Sequence, residues 1–249
     1  MSEEIKKEIN LLKSKVLAVL DKYKFRRNNL FINCRTLNVR ESDNSDYSCR
    51  TNSMSYNGNR DECIHEMFHL ASNRNRLVDG ICIRQSNGEL FGTGLNEGIT
   101  DMFASMAGSN KVCYPFERAC ALAITDISGM HIMRDYFDNN GASFFKRFNT
   151  SFIEFARELD KYNHMMREID TLYRINGFKL DKVSKRKVNL IRENAGSQLG
   201  ITYMALEDFL ETLGFDYRQI LDDRMSESDV LDLFKALDVN LDDYKTMGL

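Results

Sequence analysis

The sequence predicts an α+β protein in which α-helix predominates. Pro115 is the only proline in 249 residues. Most of the chain repeats its apolar residues at the three- and four-residue spacing of a helix face. The runs that favour strands all lie before Val112. The pattern therefore predicts a few short strands among helices, followed by a second half made of helices alone.

The first elements in chain order are one helix and two extended segments. Residues 4–24 have the pattern of an amphipathic helix, with one apolar face made by Ile5, Ile9, Leu12, Val16, Val19 and Tyr23. Residues 29–39 are rich in β-forming side chains and are predicted to form a strand. A second extended piece is expected over residues 46–56, where the following Asn57-Gly58 supplies a turn.

A helix, a hairpin and a second helix follow this turn. The first helix is expected over residues 60–72, because Asn59 can cap it and its first turn is acidic. Apolar pieces over residues 80–84 and 89–92, joined by a polar turn, indicate a hairpin. The next helix is predicted over residues 95–107.

An apolar seam dominates the second half of the chain. Over about eight helical turns it recurs every three or four residues, at Phe145, Phe148, Phe152, Phe155, Leu159, Tyr162, Met166, Ile169 and Tyr173. Coiled-coil pairing and burial in a helical subdomain both explain this seam, and its aromatic content favours burial. Further helices are predicted over residues 183–195, 203–213 and 226–237. We therefore expect a first subdomain over residues 1–111 and a helical subdomain over residues 112–249.

Charge and composition restrict the classes of function. The net charge of −3 at pH 7 gives no overall attraction for nucleic acid or for an anionic membrane. The N-terminus lacks the apolar core of a signal peptide, and no stretch approaches the roughly 18 apolar residues of a membrane span. The six cysteines are scattered without a CxxC pair, so free thiols are expected. We expect a cytoplasmic protein without nucleic-acid or membrane partners.

Residues 65–69, His-Glu-Met-Phe-His, carry the clearest functional signal. On a helix, His65 and His69 project from the same face, so both imidazoles can bind one metal ion. This is the HExxH spacing of zinc peptidases, in which the glutamate is the general base. The motif predicts Zn²⁺ as the cofactor and Glu66 as a catalytic residue. The alternative is a surface helix with two incidental histidines, which is weaker because the chain has only four histidines.

A third zinc ligand must come from elsewhere, because catalytic zinc usually takes three protein ligands. The HExxHxxGxxH class is excluded, since Ser72 and Asn75 occupy its glycine and third histidine positions. Glu97 and Asp101 lie four residues apart and share one face of the helix predicted over residues 95–107. One of these carboxylates can bind zinc, and the other can accept a hydrogen bond from a ligand imidazole.

The two motifs together resemble the gluzincins, the thermolysin-like zinc metallopeptidases. The HExxH at residues 65–69 and the NExxxD at residues 96–101 carry the resemblance, which covers roughly residues 28–108. It implies that the zinc ligands are His65, His69 and Glu97. It also implies that Glu66 is the general base and that Asp101 holds the first histidine, His65.

The resemblance implies a zincin-like fold for the first subdomain. In that fold a small sheet packs on the HExxH helix and the glutamate helix, an edge strand binds extended peptide, and a helical subdomain follows. One departure is that Asn96 follows His69 by 27 positions, which is a longer spacing than is usual in the family. A hairpin over residues 80–92 would absorb the extra length.

The oxyanion donor and the biological role stay open at this point. A peptidase site needs a hydrogen-bond donor for the tetrahedral oxyanion. The candidates are Tyr162, which we retain as a catalytic residue, and His131, His164 and Tyr136. A peptide or protein is the expected partner and substrate.

Two alternatives to a general peptidase remain. The first is a regulatory HExxH protease dedicated to one protein partner. The second is a non-catalytic helical binding protein with a structural or vestigial zinc site. A structural zinc site normally has four protein ligands, so the number of ligands separates this alternative from catalysis.

Overall fold

The computed structural model describes residues 2–177 and 179–215. The chain divides into two compact units, Met1–Arg147 and Phe148–Leu249. Both contain long helices, and the strands found among the described residues are short and lie in the first unit. The predicted class, α+β with a predominance of helix, is confirmed.

The first unit alternates helices with short strands. Its helices are α1 (Glu3–Lys22), α2 (Asn28–Arg35), α3 (Arg60–Ser72), α4 (Thr93–Met106), α5 (Pro115–Ser128), α6 (Arg134–Phe137) and α7 (Gly141–Lys146). Its strands are β1 (Asn38–Glu41), β2 (Asp46–Ser48), β3 (Ser53–Tyr56), β4 (Ile83–Arg84) and β5 (Leu90–Phe91). A 3-10 turn, Met130–Met133, precedes α6. The helices predicted over residues 60–72 and 95–107 and the predicted hairpin, β4–β5, are confirmed.

A three-stranded sheet packs beside α3. Its strand order is β1-β3-β2, so β3 is central, with β1 parallel and β2 antiparallel to it. Met54 on β3 is fully buried and pairs with Val39 on one side and Tyr47 on the other. Strand β2 therefore forms one edge of the sheet, and it contacts α3.

The core of the first unit surrounds α3 and α4. Both helices pack against the apolar face of α1, on which Leu12 and Val16 have no exposed surface. Phe68 of α3 stacks on Phe103 of α4, with ring centroids 5.7 Å apart. Phe137 packs against Phe103 at 4.9 Å and closes the cluster. This packing holds α3 and α4 side by side.

The strand predicted over residues 29–39 is wrong for most of its length. Residues 28–35 form helix α2, and the chain becomes extended only at Asn38. The buried residues Asn29, Leu30 and Asn33 share one helix face. The Asn33 side chain donates to the backbone oxygens of Leu70 and Asn73, at 2.9 and 2.6 Å. Burial of hydrogen-bonded asparagines therefore outweighed the β propensity of the segment.

The second unit contains two long helices, α8 (Thr150–Ile175) and α9 (Lys182–Thr212). The predicted seam is interrupted, because the Asn149 side chain caps α8 and Phe145 belongs to α7. The two helices predicted over residues 183–195 and 203–213 are one continuous helix, α9. The helix predicted over residues 226–237 lies outside the described residues.

The division between the units differs from the boundary expected at residues 111 and 112. It falls at Arg147 instead, because α5 packs closely on α4. A Cβ at Gly98 of α4 would lie 2.0 Å from the backbone oxygen of Glu117 of α5. Among the helices that the structure describes, none is long and apolar enough to cross a membrane.

Candidate metal centre

Helix α3 presents two imidazoles on one face. Its start is fixed locally, because the Asn59 side chain accepts from the backbone N–H groups of Asp61 and Glu62. His65 and His69 follow at helical spacing, and their Nε2 atoms lie 3.1 Å apart. Both side chains are buried, with residue exposures of 4% and 7%.

Helix α4 brings a carboxylate to the same point. Oε2 of Glu97 lies 3.1 Å from Nε2 of His65 and 3.2 Å from Nε2 of His69. Glu97 is buried as well, with an exposure of 8%. Next to it, Gly98 lets α5 press against α4 and leaves no space there for a side chain. The structure thus brings together three predicted ligands that are 32 residues apart at most.

Asp101 lies behind His65, as the resemblance implied. Its Oδ1 atom is 2.7 Å from Nδ1 of His65. Its other oxygen accepts from the backbone N–H groups of Cys113 and Tyr114, at 2.8 and 2.7 Å. The carboxylate is almost fully buried. It therefore fixes the orientation of the imidazole and at the same time holds the segment that leads into α5.

A second carboxylate, Asp79, lies behind His69 and was missed by the sequence analysis. Its Oδ1 atom is 3.3 Å from Nδ1 of His69 and accepts from Nδ2 of Asn96 at 2.8 Å. Asp79 precedes the predicted hairpin in a segment without helical periodicity. An aspartate just before Gly80 indicates only a turn, so no local signal in the sequence pointed to this role.

The hydrogen bonds around the imidazoles make the inner atoms a cation site. Each Nδ1 atom faces a carboxylate, so in the neutral imidazole the proton is on Nδ1. The Nε2 atom then has a free lone pair. Two such nitrogens and Oε2 of Glu97 then meet within 3.2 Å. The two Nε2 atoms and Oε2 of Glu97 would repel one another at this distance as bare acceptors. A proton or a metal ion between them removes this repulsion.

The donor set fits a tetrahedral metal ion. Bonds of about 2.0–2.1 Å to zinc place neighbouring ligand atoms about 3.3 Å apart. The observed separations of 3.1–3.2 Å are close to this value. His65, His69 and Glu97 are therefore positioned closely enough to bind one metal ion.

Comparison of the chain with known protein families, with curated proteins and with solved structures gave no match. The likeness to the gluzincins therefore depends on the residues of this site alone.

Charge couples the three inner groups strongly. Burial lowers the pKa of His65, but hydrogen bonds to Asp101 and Glu97 outweigh this effect and raise the pKa to about 9. Burial also opposes protonation of His69, yet Asp79 and Glu97 raise its pKa well above the ordinary value. Burial raises the pKa of Glu97, but His69 and His65 outweigh it and hold the pKa well below the usual range.

Binding of Zn²⁺ should strengthen as the pH rises towards about 9. A metal ion needs deprotonated imidazoles. The raised pKa of His65, about 9, and the raised pKa of His69 keep protons on both rings at neutral pH, where these protons compete with the metal. We expect the zinc dissociation constant, measured by chelator competition, to fall steadily between about pH 6 and about pH 9. Titration calorimetry in two buffers of different ionisation enthalpy should show proton release. A dissociation constant independent of pH would contradict these pKa directions.

Glu66 lies next to the ligand cluster and is half-buried on α3. Burial raises the pKa of this carboxyl, and the nearby His65 and His69 partly offset the shift. Among the described residues, Glu66 is not one of the three that gather as metal ligands. It therefore lies beside the three candidate ligands without belonging to them.

The proposed oxyanion donors occupy different surroundings. Tyr136 is fully buried, and its hydroxyl lies 2.8 Å from the Thr100 hydroxyl. These contacts are those of a core residue. His131 and His164 are exposed. Tyr162 belongs to the second unit and is buried on α8. Its catalytic role stays a prediction to which the geometry adds no support.

Tyr114 is a residue of the site that the sequence analysis did not single out. Its ring is tilted against the His65 ring, with centroids 5.5 Å apart, and its side chain is half-buried. Its backbone is held by Asp101, which also orients His65. The adjacent proline was the only local signal, since Pro115 marks the start of a helix.

Proposed function

We propose that this chain is a zinc-dependent metallopeptidase of the gluzincin type. One observation carries the proposal: two buried imidazoles and one carboxylate converge, and the described residues add no fourth histidine, cysteine or carboxylate to them. Structural zinc sites are normally closed by four protein ligands, whereas hydrolytic sites keep one position open. The set of three therefore favours hydrolysis over a structural role.

The residues around this set match the needs of peptide hydrolysis. Zinc held by His65, His69 and Glu97 would supply a Lewis acid that activates water and polarises a peptide carbonyl. Glu66 is the general base: its carboxylate takes a proton from the attacking water and passes it to the leaving amine. Burial raises the pKa of Glu66 towards neutral pH, where a carboxyl is better suited to accept a proton and then donate it.

Strand β2 is the part of the sheet best suited to hold the substrate. It forms an edge beside α3, so it can pair with an extended peptide as one further strand. Its position is fixed by Asn73, which follows α3 and donates to the Tyr47 hydroxyl at 2.6 Å and to the Cys49 backbone oxygen at 3.2 Å. A peptide on β2 would lie close to the helix that carries Glu66.

Hydrolysis of a peptide library by the zinc-loaded protein tests the proposal. We expect cleavage that is lost after treatment with a strong chelator and is restored by about one equivalent of Zn²⁺ per chain. X-ray absorption spectroscopy of the zinc-loaded protein should show two imidazoles and one carboxylate from the protein. Cleavage that survives removal of the metal, or a shell closed by a fourth protein ligand, would refute the proposal.

A further inference from the structure

In the segment between α3 and α4, Asp79 contacts the metal centre through His69. Backbone hydrogen bonds hold the residues that follow it. The N–H of Gly80 donates to Oγ of Ser72 at 3.0 Å, and the oxygen of Gly80 accepts from Nδ2 of Asn139 at 3.0 Å. The Ser72 hydroxyl in turn donates to the backbone oxygen of His69 at 3.0 Å. The hydrogen bonds of Gly80 therefore fix the position of the neighbouring Asp79.

Gly80 makes this placement sterically possible. Its φ of +54° lies in the left-handed region, which favours glycine. A Cβ at this position would lie 1.8 Å from Oδ1 of Asn96. The absence of a side chain therefore lets the backbone at residues 79–81 approach α4.

The Asn96 side chain connects α4 to both sides of Gly80. Its Oδ1 atom accepts from the N–H of Ile81 at 3.0 Å, and its Nδ2 atom donates to Oδ1 of Asp79 at 2.8 Å. These two partners also decide which end of the amide is oxygen and which is nitrogen. Asn96 is almost fully buried. Its amide therefore contacts the carboxylate that lies behind His69.

We propose that Asp79 is a positioning residue for His69, and that Asn96 positions Asp79. The inference rests on the metal centre of the proposed function and extends it. Both ligand imidazoles then have an anionic partner, Asp101 behind His65 and Asp79 behind His69. The long segment between the two motifs becomes part of the metal centre, because it supplies the second of these carboxylates.

Replacement of Asp79 tests the first half of this inference through metal affinity, without a substrate. Outer-shell partners of zinc ligands contribute about 10- to 100-fold to metal affinity. We expect Asp79→Ala to raise the zinc dissociation constant by that factor, as measured by competition with a chromophoric chelator. Asp79→Asn keeps an acceptor oxygen but loses the charge, so its effect should be smaller. Glu89→Gln removes an exposed carboxylate from the same segment and should leave the constant unchanged.

A double-mutant cycle tests the second half. If Asn96 acts through Asp79, the pair Asp79→Ala and Asn96→Ala should weaken zinc binding no more than Asp79→Ala alone. The visible spectrum of the cobalt-loaded protein should change in the same way in both single variants. Additive losses, or wild-type affinity in Asp79→Ala, would overturn the inference. Should Asn96→Ala fail to fold by circular dichroism, the same cycle with Asn96→Asp decides, because aspartate keeps an acceptor for the N–H of Ile81 but cannot donate to Asp79.

The outcomes separate this inference from the proposed function. A wild-type protein that binds no zinc would refute the metal centre, and the inference with it. Zinc binding that depends on Asp79 in a protein without peptidase activity would refute the catalytic proposal and leave the inference standing. Zinc-dependent cleavage, together with an unchanged zinc affinity in Asp79→Ala, would refute the inference and leave the catalytic proposal standing.

Discussion

Replacing Glu66 with glutamine should lower the rate of peptide hydrolysis by about 10²- to 10⁴-fold, the contribution typical of a general base. Glutamine has nearly the same shape but cannot accept the proton of the attacking water. The zinc content should stay near that of the wild type, because Glu66 is outside the set of His65, His69 and Glu97. Steady-state kinetics on a cleaved peptide and metal analysis of the same sample measure both quantities.

Glu62→Gln is the matched control for this experiment. Glu62 lies one turn earlier on α3, where it accepts from Nδ2 of Asn59 at 3.2 Å and also pairs with Lys111. It is outside the metal cluster, so its replacement should change the hydrolysis rate little. Wild-type activity in Glu66→Gln would remove Glu66 from the role of base. Loss of zinc in that variant would show that the residue supports the metal instead.

The sequence was sufficient for elements whose signals are local. Helix α3 begins at Arg60, as predicted, because the Asn59 cap and the acidic first turn lie beside each other in the chain. Helix α2 could not be predicted in this way. The burial of Asn33 depends on backbone oxygens of Leu70 and Asn73, which the fold brings close from 37 and 40 residues away. Its helical spacing was present in the sequence, but polar residues at buried positions concealed it.

The same distinction applies to the metal centre. His65 and His69 share one helix, and Glu97 and Asp101 share another, so helical spacing was enough to propose both pairs. Asp79 lies in an irregular segment, and its approach to His69 depends on hydrogen bonds from residues as distant as Asn139. No periodicity identifies such a residue. Distances in the folded chain were needed to find it.

Replacing a ligand should remove most of the bound zinc. His69→Ala and Glu97→Ala each take one donor from a set of three. We expect each to weaken zinc binding by more than about 100-fold, the upper end of the range for outer-shell partners. Metal analysis after dialysis, together with chelator competition, measures the loss. Circular dichroism of the metal-free variants should confirm that they fold.

The order of the effects is the decisive part of this prediction. Asp101→Asn has one oxygen, which can face either Nδ1 of His65 or the backbone N–H groups of Cys113 and Tyr114, but not both. Because Asp101 lies behind a ligand and does not bind the metal itself, this variant should weaken zinc binding by no more than about 10- to 100-fold. Glu62→Ala should have almost no effect, since Glu62 is outside the cluster. If α3 alone bound the zinc, Glu97→Ala and Glu62→Ala would have the same zinc affinity. If Glu97→Ala loses much more zinc affinity than Asp101→Asn, the carboxylate of Glu97 must bind the metal directly.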